Sequence, residues 1–226
     1  VAYFRELWLD TRRTVGGDTS LLAIAVTASL AFVVGRYLPP TIRVPAFWTV
    51  AKNYALAGAA YGLIPALTLA LLRRRPSEAG VALGRTGTWL PDIALAYVLM
   101  LPLLYVASRQ PAFRQVYPYF AFERDGVGWL LTGLGLRFFG MLTWEFIFRG
   151  YLLFGIERRA GPGVALAATT IPFVILHFGK PMPELLGSIV AGLALGLIAL
   201  RARSFLPCAL LHFAVAATLD VLALAA

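Results

Sequence analysis

Residues 127–157 read VGWLLTGLGLRFFGMLTWEFIFRGYLLFGIE. The stretch has no proline, and its only charged side chains before the closing acid are Arg137, Glu145 and Arg149. A bilayer crossing takes about 20 mostly apolar residues. This run is longer, so it predicts a transmembrane helix that is tilted or projects from the membrane. Six more apolar runs predict spanning helices: Leu21 to Leu38, Ala46 or Tyr54 to Leu72 with Pro65 as a possible kink, Trp89 to Ala107, Gly163 to Phe178, Pro183 to Leu200, and Phe205 to Leu224. The expected architecture is an all-α, polytopic transmembrane bundle of about seven spanning helices.

Composition excludes the main rivals. Of the 226 residues, 60% are hydrophobic and only 14% charged. Disordered chains have the opposite balance, and a water-soluble domain needs more polar side chains to cover its surface. The formal net charge of +9 falls mostly between apolar runs, which suits anionic lipid and orientation signals rather than nucleic acid. The lone cysteine, Cys208, reads as a small core residue. At the N-terminus, VAYFRELWLDTRRTVGGDTS interleaves apolar and charged residues. That is an interfacial amphipathic helix, with Tyr3, Phe4, Leu7 and Trp8 on its apolar face, rather than a secretory signal. If the N-terminus is cytosolic, that side collects Arg5, Arg12 and Arg13, Arg73 to Arg75 and Arg85, Arg149, Arg158 and Arg159, and Arg201 and Arg203. The opposite side has fewer basic residues, which favours this orientation.

An ionisable group inside the bilayer is costly unless paired or hydrated, so function is sought there first. Glu145 and Arg149 are four apart and share a helix face, acid before base. The pair serves either as mutual neutralisation or as an arginine holding a reactive carboxylate. Both histidines, His177 and His212, fall in apolar segments. Glu184 follows the helix-breaking GKPMP turn. It reads as a helix N-terminal anion or as a carboxylate folded back towards His177. Arg137 would snorkel or pair with an acid, and Asp220 stands eight residues beyond His212 and about 80° off its face.

WEFIFRGYLLFG, then FVILHFGKP, then SFLPCALLHFAVA occur in that order. In this the chain resembles the CPBP intramembrane protease family, which includes the type II CAAX prenyl endopeptidases and bacterial relatives. The resemblance covers roughly Gly126 to Ala226, and the first 125 residues match only as generic membrane helices, all within one membrane domain. It implies an intramembrane endopeptidase. Glu145 would be the general base helped by His177, Arg149 would orient Glu145, and His212 would stabilise the oxyanion. Trp144 stands where the family has its first, water-activating glutamate, and Ala216 where a polar partner of the second histidine is usual. Glu184 is the candidate compensating carboxylate. The alternative is a catalytically inactive member acting as an immunity or scaffold factor. A transporter ranks last, because no inverted repeat or paired broken helices are visible. No cofactor is expected; zinc at Glu145, His177 and His212 is the minority possibility. The implied partners are the bilayer and a membrane-associated protein or peptide substrate with a hydrophobic, lipid-linked or C-terminal signal. The implied location is a prokaryotic inner membrane.

Overall fold

Two helices of this chain end on an arginine in the left-handed region, Arg73 at φ 52° and Arg203 at φ 54°, where glycine is the usual choice. Both lie at the same end of the bundle, and a cation there complements the carbonyl end of the helix dipole. The computed structural model describes residues 3–6, 9, 19–37 and 46–225. Among them no strand occurs. The helices are α1 (Thr19–Tyr37), α2 (Ala46–Leu71), α3 (Thr86–Ser108), α4 (Val127–Glu145), a π-helical segment (Phe146–Leu152), α5 (Leu153–Ile175), α6 (Met182–Ala202) and α7 (Leu206–Leu224). Short helical turns at Pro76–Ala79, Pro111–Arg114 and Ala121–Asp125 join them.

The chain is a polytopic membrane bundle, as expected. Among the described residues, five helices are long and apolar enough to cross a bilayer. The first apolar helix, Ser20–Gly35, is shorter. The expected fourth and fifth helices form one 49-residue helical stretch, Val127–Ile175, about 70 Å at 1.5 Å per residue. It turns at Gly161, whose φ of 82° and ψ of 167° break the helix just before Pro162. The expected division is therefore present as a kink rather than a loop. α2 continues through Pro65. Residues 3–6 are helical and exposed; the rest of the expected N-terminal amphipathic helix, except Leu9, lies outside the described residues.

The π segment is the centre of the fold. Ile147, Phe148, Tyr151, Leu152, Leu153 and Phe154 are all buried in one hydrophobic cluster with residues of α1, α2, α6 and α7. Apart from Arg149 the π segment is apolar, and it is packed by α1, α2, α4, α5, α6 and α7. Cys208 is in the same core, its thiol directed at the Leu195 carbonyl at 3.0 Å. Around it, α2 approaches α4 closely: a Cβ at Gly58 would collide with the Phe139 ring and one at Gly140 with the Tyr54 ring. Small residues at facing positions let helices approach in lipid, where burial from water cannot drive association.

Candidate active site

α4 and α7 carry two polar rungs. Glu145 of α4 meets His212 of α7, and eight residues back along α4, Arg137 meets Asp220, eight residues on along α7. The helices therefore run antiparallel, with rungs about 12 Å apart at 1.5 Å per residue.

In the first rung Glu145 is fully buried. Its Oε1 lies 2.6 Å from His212 Nδ1, and its Oε2 is 3.2 Å from Arg149 Nη1. Arg149, 1% exposed, also donates from Nη2 to the Gly192 carbonyl of α6 at 3.3 Å. Its guanidinium lies 4.0 Å from the centre of the Phe173 ring, a cation–π contact that helps to hold a buried charge. Arg149 reaches Glu145 from inside the π segment. Such wide turns recur at functional sites because they redirect side chains without breaking the helix.

His177 is placed by the turn after α5. Its Nδ1 is 2.7 Å from the Phe173 carbonyl, and its ring lies 4.5 Å from that of Phe173, centre to centre. Phe173 also approaches the His212 ring at 6.0 Å. One aromatic side chain is thus shared by Arg149, His177 and His212. Both histidines face acceptors through Nδ1, a carbonyl for His177 and a carboxylate for His212. Each neutral imidazole therefore carries its proton on Nδ1 and presents Nε2 as a lone pair.

The sequence-level candidates divide. Glu145, Arg149 and His212 form one hydrogen-bonded chain, and His177 joins through Phe173. Glu184 goes elsewhere: both its oxygens accept from the Tyr117 hydroxyl at 2.8 Å, and Lys180 Nζ is 3.4 Å away. The Trp144 indole lies 6.2 Å from the His177 ring, with its Nε1 buried and unpartnered. Ala216 is compensated, since the polar partner of His212 is Glu145. Among the described residues no three His, Cys, Asp or Glu side chains are grouped to hold a metal ion.

The second rung holds Arg137 Nε and Asp220 Oδ2 at 3.0 Å, both side chains buried. The Tyr119 amide donates to Asp220 Oδ1 at 2.8 Å, and Arg137 lies 4.3 Å from the Tyr119 ring centre. Arg137 therefore pairs rather than snorkels. Tyr117, Tyr119 and Lys180 were missed at the sequence level. The only signal for the two tyrosines is an aromatic, Pro-containing loop, VYPYFAFERD (116–125), which is indistinguishable from an interfacial belt, and Lys180 lies in the GKPMP turn.

Residues 126–218 match the family model described as type II CAAX prenyl endopeptidase Rce1-like. No curated protein and no solved structure matches the chain. Glu145, Arg149, Phe173, His177 and His212 all fall within the matched span, so the candidate site lies in the part of the chain that is similar to the Rce1-like, type II CAAX prenyl endopeptidase family.

Proposed function

We propose that the protein is an intramembrane endopeptidase in which Glu145 and His212 act as a carboxylate–imidazole dyad on a hydrophobic or lipid-linked peptide. The observation that carries this is the 2.6 Å contact between Glu145 Oε1 and His212 Nδ1, with Arg149 bracing the carboxylate from behind. Glu145 is wholly buried and already committed to two cationic or donor groups, so its role is orientation. His212, at 19% side-chain exposure, is the more accessible proton acceptor. A water at its Nε2 loses a proton to the imidazole as its oxygen bonds to the scissile carbonyl carbon. The resulting imidazolium is stabilised by Glu145 and returns the proton to the leaving amine as the C–N bond breaks. His177, when protonated, offers Nε2–H to the developing oxyanion.

The test is cleavage of a fluorogenic, C-terminally prenylated peptide by the full chain in proteoliposomes. Glu145→Gln and His212→Ala are expected to lower the rate about 10³-fold or more, as loss of the orienting acid does in other dyads and triads. His177→Ala is expected to cost about 10²-fold. Equal rates for wild type, E145Q and H212A remove the dyad.

One observation favours a second reading, a non-catalytic membrane factor: the Trp144 indole occupies the place beside His177 where the family pattern has a carboxylate. On that reading the wild type cleaves no such peptide, and Trp144→Glu gains activity.

A further inference from the structure

The arginine-rich end of the bundle contains a cavity that the chemistry above leaves unused. It has a volume of about 210 Å³ and is lined by Ser20 and Ile24 of α1, Arg74 after α2, and Gly155, Arg158 and Arg159 of α5. That is about seven water volumes at ~30 Å³ each. Three guanidinium-bearing residues from two separate parts of the chain converge on it. Arg74 Nη1 is 3.4 Å and Arg158 Nη1 3.1 Å from the same oxygen of Glu78. Arg158 Nη1 also donates to the Glu78 carbonyl at 2.9 Å, and Arg159 Nη2 to Ser20 Oγ at 3.4 Å on the α1 wall. Arg74 and Arg158 together carry about ten N–H donors, five per guanidinium, and the one Glu78 carboxylate they share cannot saturate them.

The backbone is built to bring Arg74 here. Its amide bonds back to the Leu69 carbonyl at 2.8 Å and that of Arg73 to Ala70 at 2.9 Å, the paired bonds of a Schellman motif. The left-handed position of that motif is held by Arg73 at φ 52°, where a non-glycine residue is disfavoured by about 1 kcal/mol or more. An energetically unfavourable arginine that turns a second arginine into a cavity is the kind of local strain that marks a binding site. Glu78 is held by its own acceptor role: the Arg75 amide at 2.9 Å, with Arg158 and Arg74 beside it, keeps its carboxyl below the ordinary range. It therefore remains an anion that spaces the guanidiniums without cancelling them.

We infer that this cavity, between the start of α1, the end of α2 and the α5 segment before Gly161, binds a phosphate group through the forks of Arg74, Arg158 and Arg159. Planar guanidiniums bind phosphate oxygens bidentately and with low desolvation cost. The cavity opens at a helix-end level where an anionic lipid headgroup sits, and Ile24 supplies an apolar wall at its inner side. The same forks would take a soluble phosphate compound.

Native mass spectrometry of the purified full chain, with phosphatidylglycerol or phosphatidylcholine added, reads out the lipid source. Thermal unfolding in inorganic phosphate against chloride at equal ionic strength reads out the soluble one. The wild type is expected to retain phosphatidylglycerol about tenfold over phosphatidylcholine. R74Q/R159Q is expected to fall to parity, R74K/R159K to about threefold, and R85Q, which removes an exposed charge at the same end, to stay at tenfold. A phosphate-specific rise in Tm that also displaces phosphatidylglycerol assigns the site to soluble phosphate; retention with no phosphate effect assigns it to lipid. Should R74Q/R159Q not fold, the wild-type competition decides. The inference is overturned by a wild type with neither lipid preference nor phosphate shift, or by R74Q/R159Q retaining phosphatidylglycerol as the wild type does.

Discussion

Glu123 sets a problem that burial alone creates. It is 2% exposed, and neither carboxylate oxygen has a hydrogen-bond partner. Gly133 of α4 makes its place, since a Cβ there would collide with the carboxylate. Burial first, and the Asp220 charge next, push its pKa up to about 7, against a smaller opposing pull from Arg137. Between the ordinary carboxylate value near 4.5 and about 7, the folded protein thus binds more protons than the unfolded chain. Its contribution is fully present below that ordinary value and is lost as pH rises through 7. Thermal unfolding between pH 5 and 8 is expected to show the wild type losing about 1 to 3 kcal/mol relative to Glu123→Gln; parallel curves for the two proteins would refute it. At the same scale, Arg149 is the residue whose loss should be felt furthest from its own position. Arg149→Met leaves Glu145 buried without its cation and is expected to cost about 3 to 5 kcal/mol of stability. The same substitution is expected to weaken peptide cleavage, measured on the fraction that remains folded.

Among elements, the α4–α7 pair decides the site. Its two rungs lock the register: a slip of one turn would separate Glu145 from His212 and Arg137 from Asp220 together. The second rung is then a positioning device for the first. Asp220→Asn alone leaves Arg137 buried without its anion, and is expected to destabilise by about 3 kcal/mol or more. The paired change R137L/D220L removes both charges and is expected to recover to within about 1 kcal/mol of the wild type. Denaturant titration of the three proteins in the same detergent checks this; an additive double mutant would mean that the two side chains do not interact. The π segment acts on the same register from the other side, by bringing Arg149 under Glu145 while Ile147 and Phe148 stay in the core.

At the scale of the whole molecule, one end is rich in arginine among the described residues. Arg74, Arg158, Arg159, Arg201 and Arg203 gather at one end, where Arg203 meets Glu157 at 3.1 Å and Arg201 meets Asp92 at 3.0 Å. The Tyr117–Lys180–Glu184 cluster marks the other. We propose that the arginine-rich end is cytosolic. Cys208 is fully buried and should not react with a bulky thiol reagent, so single cysteines can report sidedness. In intact cells a membrane-impermeant maleimide is expected to label Gln115→Cys but to label Ser77→Cys only after permeabilisation. The reverse pattern would invert the orientation.

Hydrophobic run length, charge placement and helix-breaking residues are local properties, and from them the sequence alone determined the bundle, the division between Glu157 and Gly163 and the i, i+4 approach of Glu145 to Arg149. The ordered motif blocks likewise carried the similarity to the family whose model residues 126–218 match. What it left open were choices between helices. Asp220, about 80° off the His212 face, looked remote from any site until α7 was laid antiparallel to α4 and Arg137 came opposite. Glu184 was compatible with a helix N-terminal role and with His177, and its Tyr117 partner was hidden because the loop that carries Tyr117 has no periodicity to aim it. Ala216 appeared to deprive His212 of a partner, and the partner came from another helix. A side chain's neighbours along its own helix follow from 3.6 residues per turn, whereas its neighbours across the bundle depend on register and rotation, which packing of the whole chain sets.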